Sequence, residues 1–288
     1  MRSIGALKGI FPRRIKHILV MFWWLWPPRV DEDAWQWKQY LDTLEQGGSL
    51  EPDPGLVGDK EYIQKCILGY YGSFDGLRVL GAGCGTGRIE AWLAAEGAKV
   101  VCLDHLVEAL QISRIHAQRT QCDEQFVVGA IERMPFNEKT FNFIYSGGVL
   151  EHFENPKEAL HEYFRVTKPN GVIIVSVPNL IGVNAMFGIK PLTELMFRKS
   201  RRSGYVERDF SAGKFKGIIK ESGFRCLDIY PTFFNAFAHF PFRYLRKVLS
   251  RLGIYQLYCN FLYAFGRKFP GIAFGYSFMI ALAQRPEG

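Results

Sequence analysis

A chain of 288 residues, 48% apolar and 22% charged, has the makeup of a globular protein and can bury a full core, as one large domain with decorations rather than two equal ones. The six cysteines are scattered with no CxxC pair and no Cys/His cluster at zinc spacing, which argues against a disulfide framework and a structural metal, and makes a reducing cytoplasm the default. The net charge of +8 is unevenly placed, and residues 1–30 and 229–286 are basic, aromatic and acid-free.

Residues 1–57 read as a basic and aromatic N-terminal extension, in which Arg2, Lys8, Arg13, Arg14, Lys16 and Arg29 precede the first acid. The apolar run Ile18 to Trp26 falls well short of the roughly 20 residues of a spanning helix. Its bulky Trp and Phe residues, with no small-residue cleavage site after them, argue against a signal peptide.

From Gly58 to the end, apolar strands alternate with amphipathic helices, the pattern of an α/β doubly wound, mostly parallel sheet covered on both faces. GDKEYIQKCILGYYG opens with a helix, LRVLGAG is a first strand, GRIEAWLAAEG a helix closed by Gly97, KVVCLD a second strand, and VEALQISRIHAQR a helix. QFVVG and FNFIYSGG follow as strands, NPKEALHEYFRVTK as a helix stopped by Pro169 and Asn170, and GVIIVSVPN as a fifth strand. SAGKFKGIIKESGF is a helix with Ser211 at its N-cap, and CLDIYPTFF and GYSFMIALAQR complete seven strands with about six helices. Two stretches, about 180–208 and 235–271, exceed the usual connection length and read as insertions that build a lid or a membrane-facing surface.

The turn VLGAGCGTGR after the first strand brings backbone close to a ligand. No Lys-Ser or Lys-Thr follows Gly87, so it is not a triphosphate loop, and its alternating glycines fit GxGxxG poorly. Asp104 at the end of the second strand stands where an acid can take both hydroxyls of a ribose.

VLGAGCGTG, VVCLD, VVGAIERMPFNEKTFNFIYSGGVLEHF and ALHEYFRVTKPNGVIIVSVPN resemble, in order and spacing, the successive motifs of class I S-adenosylmethionine-dependent methyltransferases, of the methyltransferase type 11-like kind, from about Gly58 to Arg225. The resemblance implies a Rossmann-like methyltransferase fold, an enzyme, and S-adenosyl-L-methionine as cofactor. It places Gly81, Gly83 and Gly85 around the methionine part, Asp104 on the ribose, His105 beside the adenine, Ala130 and Ile131 along the adenine edge, and Ser146 and Gly147 beneath the amino-acid portion. It departs at Gly81 and Ala130, where the family usually carries acids for the methionine ammonium and the adenine amino group. Backbone carbonyls, a water or Glu132 are the candidate replacements, and Gly81→Asp is expected to tighten cofactor binding if the pocket is merely depleted and to do nothing if the pocket is dead.

On the acceptor side, SGGVLEHF offers His152 as a general base, with Glu151 to orient it or bind substrate; packing or helix capping by His152 is the competing reading. Quinone-ring O-methyltransferases carry a further Glu before a similar VLEH stretch, implicated in metal binding; Gly148 stands there and no metal is expected. The expected acceptor is a hydrophobic or lipid-linked compound methylated at oxygen; a soluble enzyme methylating a small metabolite at oxygen or nitrogen, and a chain that keeps the fold without turnover, are the alternative readings. The basic aromatic stretches 13–28 and 240–270 are read as peripheral contacts with the inner face of the membrane by an otherwise cytoplasmic protein. A cover for the acceptor pocket, a dimer seam and, least favoured, a nucleic-acid face remain open readings of the same residues.

Overall fold

A computed structural model describes residues 54–179, 210–232 and 278–287, together with Lys38, Leu41, Asp42, Leu44, Glu45 and Leu257. The stretches read as membrane contacts and both insertions lie outside the described residues, Leu257 apart.

Helix α1 (Pro54–Tyr71) leads into β1 (Arg78–Ala82), α2 (Arg88–Ala95), β2 (Lys99–Asp104), α3 (Val107–Thr120) and β3 (Glu124–Val128). A 3-10 turn at Ile131–Arg133 precedes β4 (Phe141–Gly147), and another at Leu150–His152 precedes α4 (Pro156–Val166). Then come β5 (Thr167–Pro178), α5 (Ala212–Glu221), β6 (Arg225–Thr232) and β7 (Phe278–Gln284). The seven strands form one sheet in the order β3-β2-β1-β4-β5-β7-β6, parallel except for β7, which runs antiparallel to both neighbours.

The near-continuous apolar character of the strands follows from burial on both faces. Leu80, Ile144, Ile173, Val175 and Ala281 join Tyr163 of α4 and Phe215 of α5 in one core. Their alternating neighbours Val79, Phe143, Val172, Ile174 and Ile280 meet Ile63 of α1 and Leu93 of α2 in the other. Local signals set the helix starts: Ser211 Oγ accepts from the Lys214 N–H, and Asn155 Oδ1 accepts from the Lys157 N–H with Pro156 at the first helical position.

Among the boundaries that differ from the sequence expectation, two have a clear physical cause. α1 begins at Pro54, four residues before Gly58, because a proline's fixed φ and missing N–H suit a first turn. The helix expected to run to Lys168 ends at Val166, where Thr167 Oγ1 returns a 2.6 Å hydrogen bond to the Tyr163 carbonyl and Thr167 pairs with Phe141. Asn170 then turns in the left-handed region, with φ of 61°.

Arg285, at the end of the basic C-terminal stretch, caps a helix. Its Nη1 donates to the carbonyls of Phe164 (2.5 Å), Thr167 (2.7 Å) and Arg165 (3.3 Å), and its guanidinium lies 4.2 Å from the Phe164 ring centroid. A cation there answers both the open carbonyls and the negative end of α4. Arg285→Ala is expected to lower stability by about 2–3 kcal/mol in urea denaturation, with Arg285→Lys in between, because an ammonium reproduces the charge but not the planar guanidinium against the Phe164 ring.

Candidate active site

The C-terminal ends of β1, β2 and β4 are adjacent, and the strand order reverses between β1 and β4, where a doubly wound sheet opens a crevice. Into it runs the glycine turn. The N–H groups of Gly83 and Cys84 both point to the Leu103 carbonyl, at 2.8 and 3.1 Å, so the turn lies across the end of β2. Gly87, the N-cap of α2, has φ of 66°, and a Cβ there would fall 2.9 Å from Ser113 Cα. Only glycine satisfies both the left-handed backbone and the contact with α3.

Asp104, 7% exposed, closes the turn. Its Oδ2 accepts from the Gly85 N–H and its Oδ1 from the Leu106 N–H, each at 3.0 Å, while its own carbonyl takes the Gly129 N–H. A carboxylate oxygen has room for a second donor, so both oxygens can still receive hydroxyl protons. His105, 75% exposed, places Nδ1 3.4 Å from Asp104 Oδ1. The structure therefore brings Gly81, Gly83, Gly85, Asp104 and His105 together at one crevice wall.

The β4 side is more mixed. Ile131 is buried and Ala130 exposed; a Cβ on Gly83 would touch the side chains of Ile131 and Val149, which brings the two turns into contact. Ser146 is fully buried and its hydroxyl is engaged with Tyr163 at 2.7 Å, so what Ser146 and Gly147 offer the crevice is strand-end backbone. Glu151 is buried and His152 exposed on the turn after β4. Glu132, a candidate for the missing acid, is exposed on its own 3-10 turn.

Sequence reasoning missed Glu90. At the third position of α2, it is 2% exposed and lies over Gly81: a Cβ on Gly81 would stand 2.5 Å from Glu90 Oε1 and 2.9 Å from its Cδ. The missing acid of β1 thus has a carboxylate beside its place, delivered from the next helix. The expectation that Gly81→Asp tightens binding is corrected accordingly, since that space is taken. The signal was available: in RIEAWLAA, Glu90 is a charged residue among the buried Ile89, Ala91 and Leu93.

The electrostatics of this wall are one-sided. Burial pushes the Glu90 carboxyl up to about 8; a hydrogen bond from its own backbone N–H works against this, and Glu124 and Asp104 add repulsion. Behind it, burial raises Glu124 to about 7 even though Cys102 Sγ donates to its Oε2 at 3.3 Å. The thiols of Cys84 and Cys102, hydrogen-bonded to each other, are both held above the ordinary range. Burial holds these carboxyls in their protonated form in the free protein; a cation bound beside them would favour ionisation and a phosphate would oppose it, so the wall suits a cationic ligand. The residues present therefore fit S-adenosylmethionine, which carries a sulfonium and an ammonium beside a ribose.

Comparison with known proteins agrees with this geometry. Residues 80–175 match the family model described as a methyltransferase domain. A ubiquinone biosynthesis O-methyltransferase of Rickettsia typhi is 32% identical over 129 residues, 45% of this chain and 52% of that protein. A demethylmenaquinone methyltransferase of Chlorobaculum tepidum is 29% identical over 55% of this chain and 69% of its own length. The crystal structure of magnesium protoporphyrin IX methyltransferase from Synechocystis with bound SAH superposes with a TM-score of 0.53 at 16% identity, covering 80% of this chain and 84% of that one. That likeness shows the fold, and the chain spans about half the length of the ubiquinone relatives it matches.

Proposed function

We propose that this chain, whose residues 80–175 form a class I S-adenosylmethionine-dependent methyltransferase domain, transfers a methyl group to a hydroxyl oxygen of a hydrophobic or lipid-linked acceptor at a membrane surface. The observation that carries the reading is the glycine turn closed on Asp104, with an acidic wall beside it.

When bound, the cofactor supplies an electrophilic methyl group open to in-line displacement. The protein's part is to hold the two reactants in line and keep water out. Asp104 receives the ribose hydroxyls on the oxygens that already staple the turn, and His105 and Ile131 flank the adenine. His152, exposed after β4, takes the acceptor hydroxyl proton as the oxygen attacks, and Glu151 beside it orients the imidazole. Support for an apolar acceptor comes from the relatives named for quinone biosynthesis and from the aromatic stretches 13–28 and 240–270. Among the described residues no helix is long and apolar enough to cross a membrane, and the proposed contact is a peripheral one.

The test is turnover by the purified full chain with S-adenosylmethionine and phenolic acceptors with and without a long apolar tail, read by mass spectrometry. Methylation of the tailed acceptors is expected. His152→Ala should lower turnover by roughly 10²–10⁴-fold and leave cofactor affinity unchanged; undiminished turnover removes His152 from the mechanism. Failure to co-sediment with anionic vesicles at physiological salt would remove the membrane contact. Tight cofactor binding without transfer to any acceptor would favour a chain that keeps the fold without turnover.

A further inference from the structure

The glycine turn is complete except at Gly81, and the space beside Gly81 holds the carboxylate of Glu90, 2% exposed. We propose that Glu90 binds the α-ammonium of the methionine part of S-adenosylmethionine, so that an acid usually carried on the first strand is carried here on the first turn of the following helix. The inference rests on the reading of this domain as S-adenosylmethionine-dependent.

Three observations converge on it. The position is right, because the carboxylate stands within 3 Å of where a side chain on Gly81 would begin. The charge is right, because the groups acting on Glu90 are the acids Glu124 on β3 and Asp104 on β2, and an ammonium would supply a compensating positive charge. The exchange is also reciprocal. An acid on β1 would collide with Glu90, and glycine at 81 gives the long side chain its room. The competing role for Glu90 is purely local: its carboxylate accepts from its own backbone N–H, one of the donors left open at a helix start. A local role and an ammonium-binding role differ in what they do to ligands with and without the amino-acid portion.

Calorimetry on the full chain with two ligands separates them. S-adenosylhomocysteine carries the ammonium, whereas 5′-methylthioadenosine keeps the adenosine and thioether and lacks the amino-acid portion. Glu90→Gln is nearly isosteric, retains an acceptor for the local N–H and cannot ionise to meet the ammonium. It is expected to weaken S-adenosylhomocysteine about ten- to a hundredfold and to change methylthioadenosine less than about threefold, within the scatter of a lost neutral contact. Gly81→Asp alone should weaken both ligands by steric conflict. Gly81→Asp with Glu90→Ala returns the acid to the strand and should recover most of the lost S-adenosylhomocysteine affinity. Equal weakening of both ligands by Glu90→Gln, or no weakening of either, overturns the assignment. If the unmodified chain binds neither ligand at millimolar concentration, the methyltransferase reading falls and Glu90 with it, an outcome distinct from binding that ignores the substitution. If the double variant does not fold, Glu90→Gln alone still decides.

Discussion

Gly87→Ala is expected to lower the melting temperature of the ligand-free protein by about 5–15 °C, while Gly217→Ala raises it slightly. The two changes add the same methyl group. At Gly87 the residue must keep φ near 66°, which costs an L-residue about 1–2 kcal/mol. Its new Cβ would also sit 2.6 Å from Ser113 Cβ and 2.9 Å from Ser113 Cα. The second distance is to backbone, so α3 or the turn must shift, and overpacking of that kind costs about 1–3 kcal/mol. A sum of about 2–5 kcal/mol corresponds to the stated drop at about 2–4 °C per kcal/mol for a chain of this size class. Gly217 sits inside α5 with nothing within 4 Å of its added Cβ, so alanine there only reduces the freedom of the unfolded chain, by about 0.5–1 kcal/mol. Differential scanning calorimetry reads both. A Gly87→Ala protein as stable as its parent would show that the turn and α3 are not locked together.

The fold was legible because its strands are buried on both faces. A stretch such as GVIIVSVPN has one physical home in a domain of this size, and Ser211 and Asn155 announce their helices through side-chain oxygens that the backbone N–H groups need. The end of α4 was less legible. Pro169 and Asn170 are conspicuous stop signals, but Thr167 ends the helix earlier by bonding back to Tyr163 and pairing with Phe141, a tertiary contact with no local signature.

The candidate site divides the same way. Asp104 follows from its place at a strand end, since any acid there meets the adjacent glycine turn. Ser146 has the right position along the chain, yet its hydroxyl faces Tyr163, which periodicity does not reveal. Glu90 was overlooked because an acid in the first turn of a helix has a sufficient local reason to be there, the helix dipole. What marks it out is its burial among Ile89, Ala91 and Leu93, and its meaning depends on a glycine nine positions earlier on another element.

Burying that acid has a consequence for stability, expected to be largest above neutral pH. An ordinary glutamate titrates near 4.5, and burial raises Glu90 to about 8 and Glu124 to about 7. Between these limits the folded protein holds protons that the unfolded chain has released, so stability falls as pH rises through the window. The full benefit is present below about 4.5, is lost progressively toward 8, and the curve levels above it. His116 acts in the opposite direction: burial, with Arg88 and Arg119 nearby, lowers it to about 4, so it opposes the fall only up to the ordinary histidine value near 6.5. Among the described residues, the thiols and phenols whose values are shifted all move upward from 9 or 10, so the shifted groups that titrate between 6.5 and 8.5 are the two glutamates. Thermal melts of the ligand-free protein should therefore drop across that interval, and Glu90→Gln should remove the larger part of the drop. At about 1.4 kcal/mol per pKa unit, the variant should be more stable than its parent at pH 8.5 by a few kcal/mol, while the remaining slope belongs to Glu124. A Glu90→Gln protein that is less stable than its parent at pH 8.5 would mean that the carboxylate is stabilised in the free protein by its backbone N–H and the helix start. The acid would then need no ligand to justify its burial. A more stable variant that binds S-adenosylhomocysteine poorly would show the opposite: an ionisable group kept at a cost to the fold because the ligand's ammonium repays it.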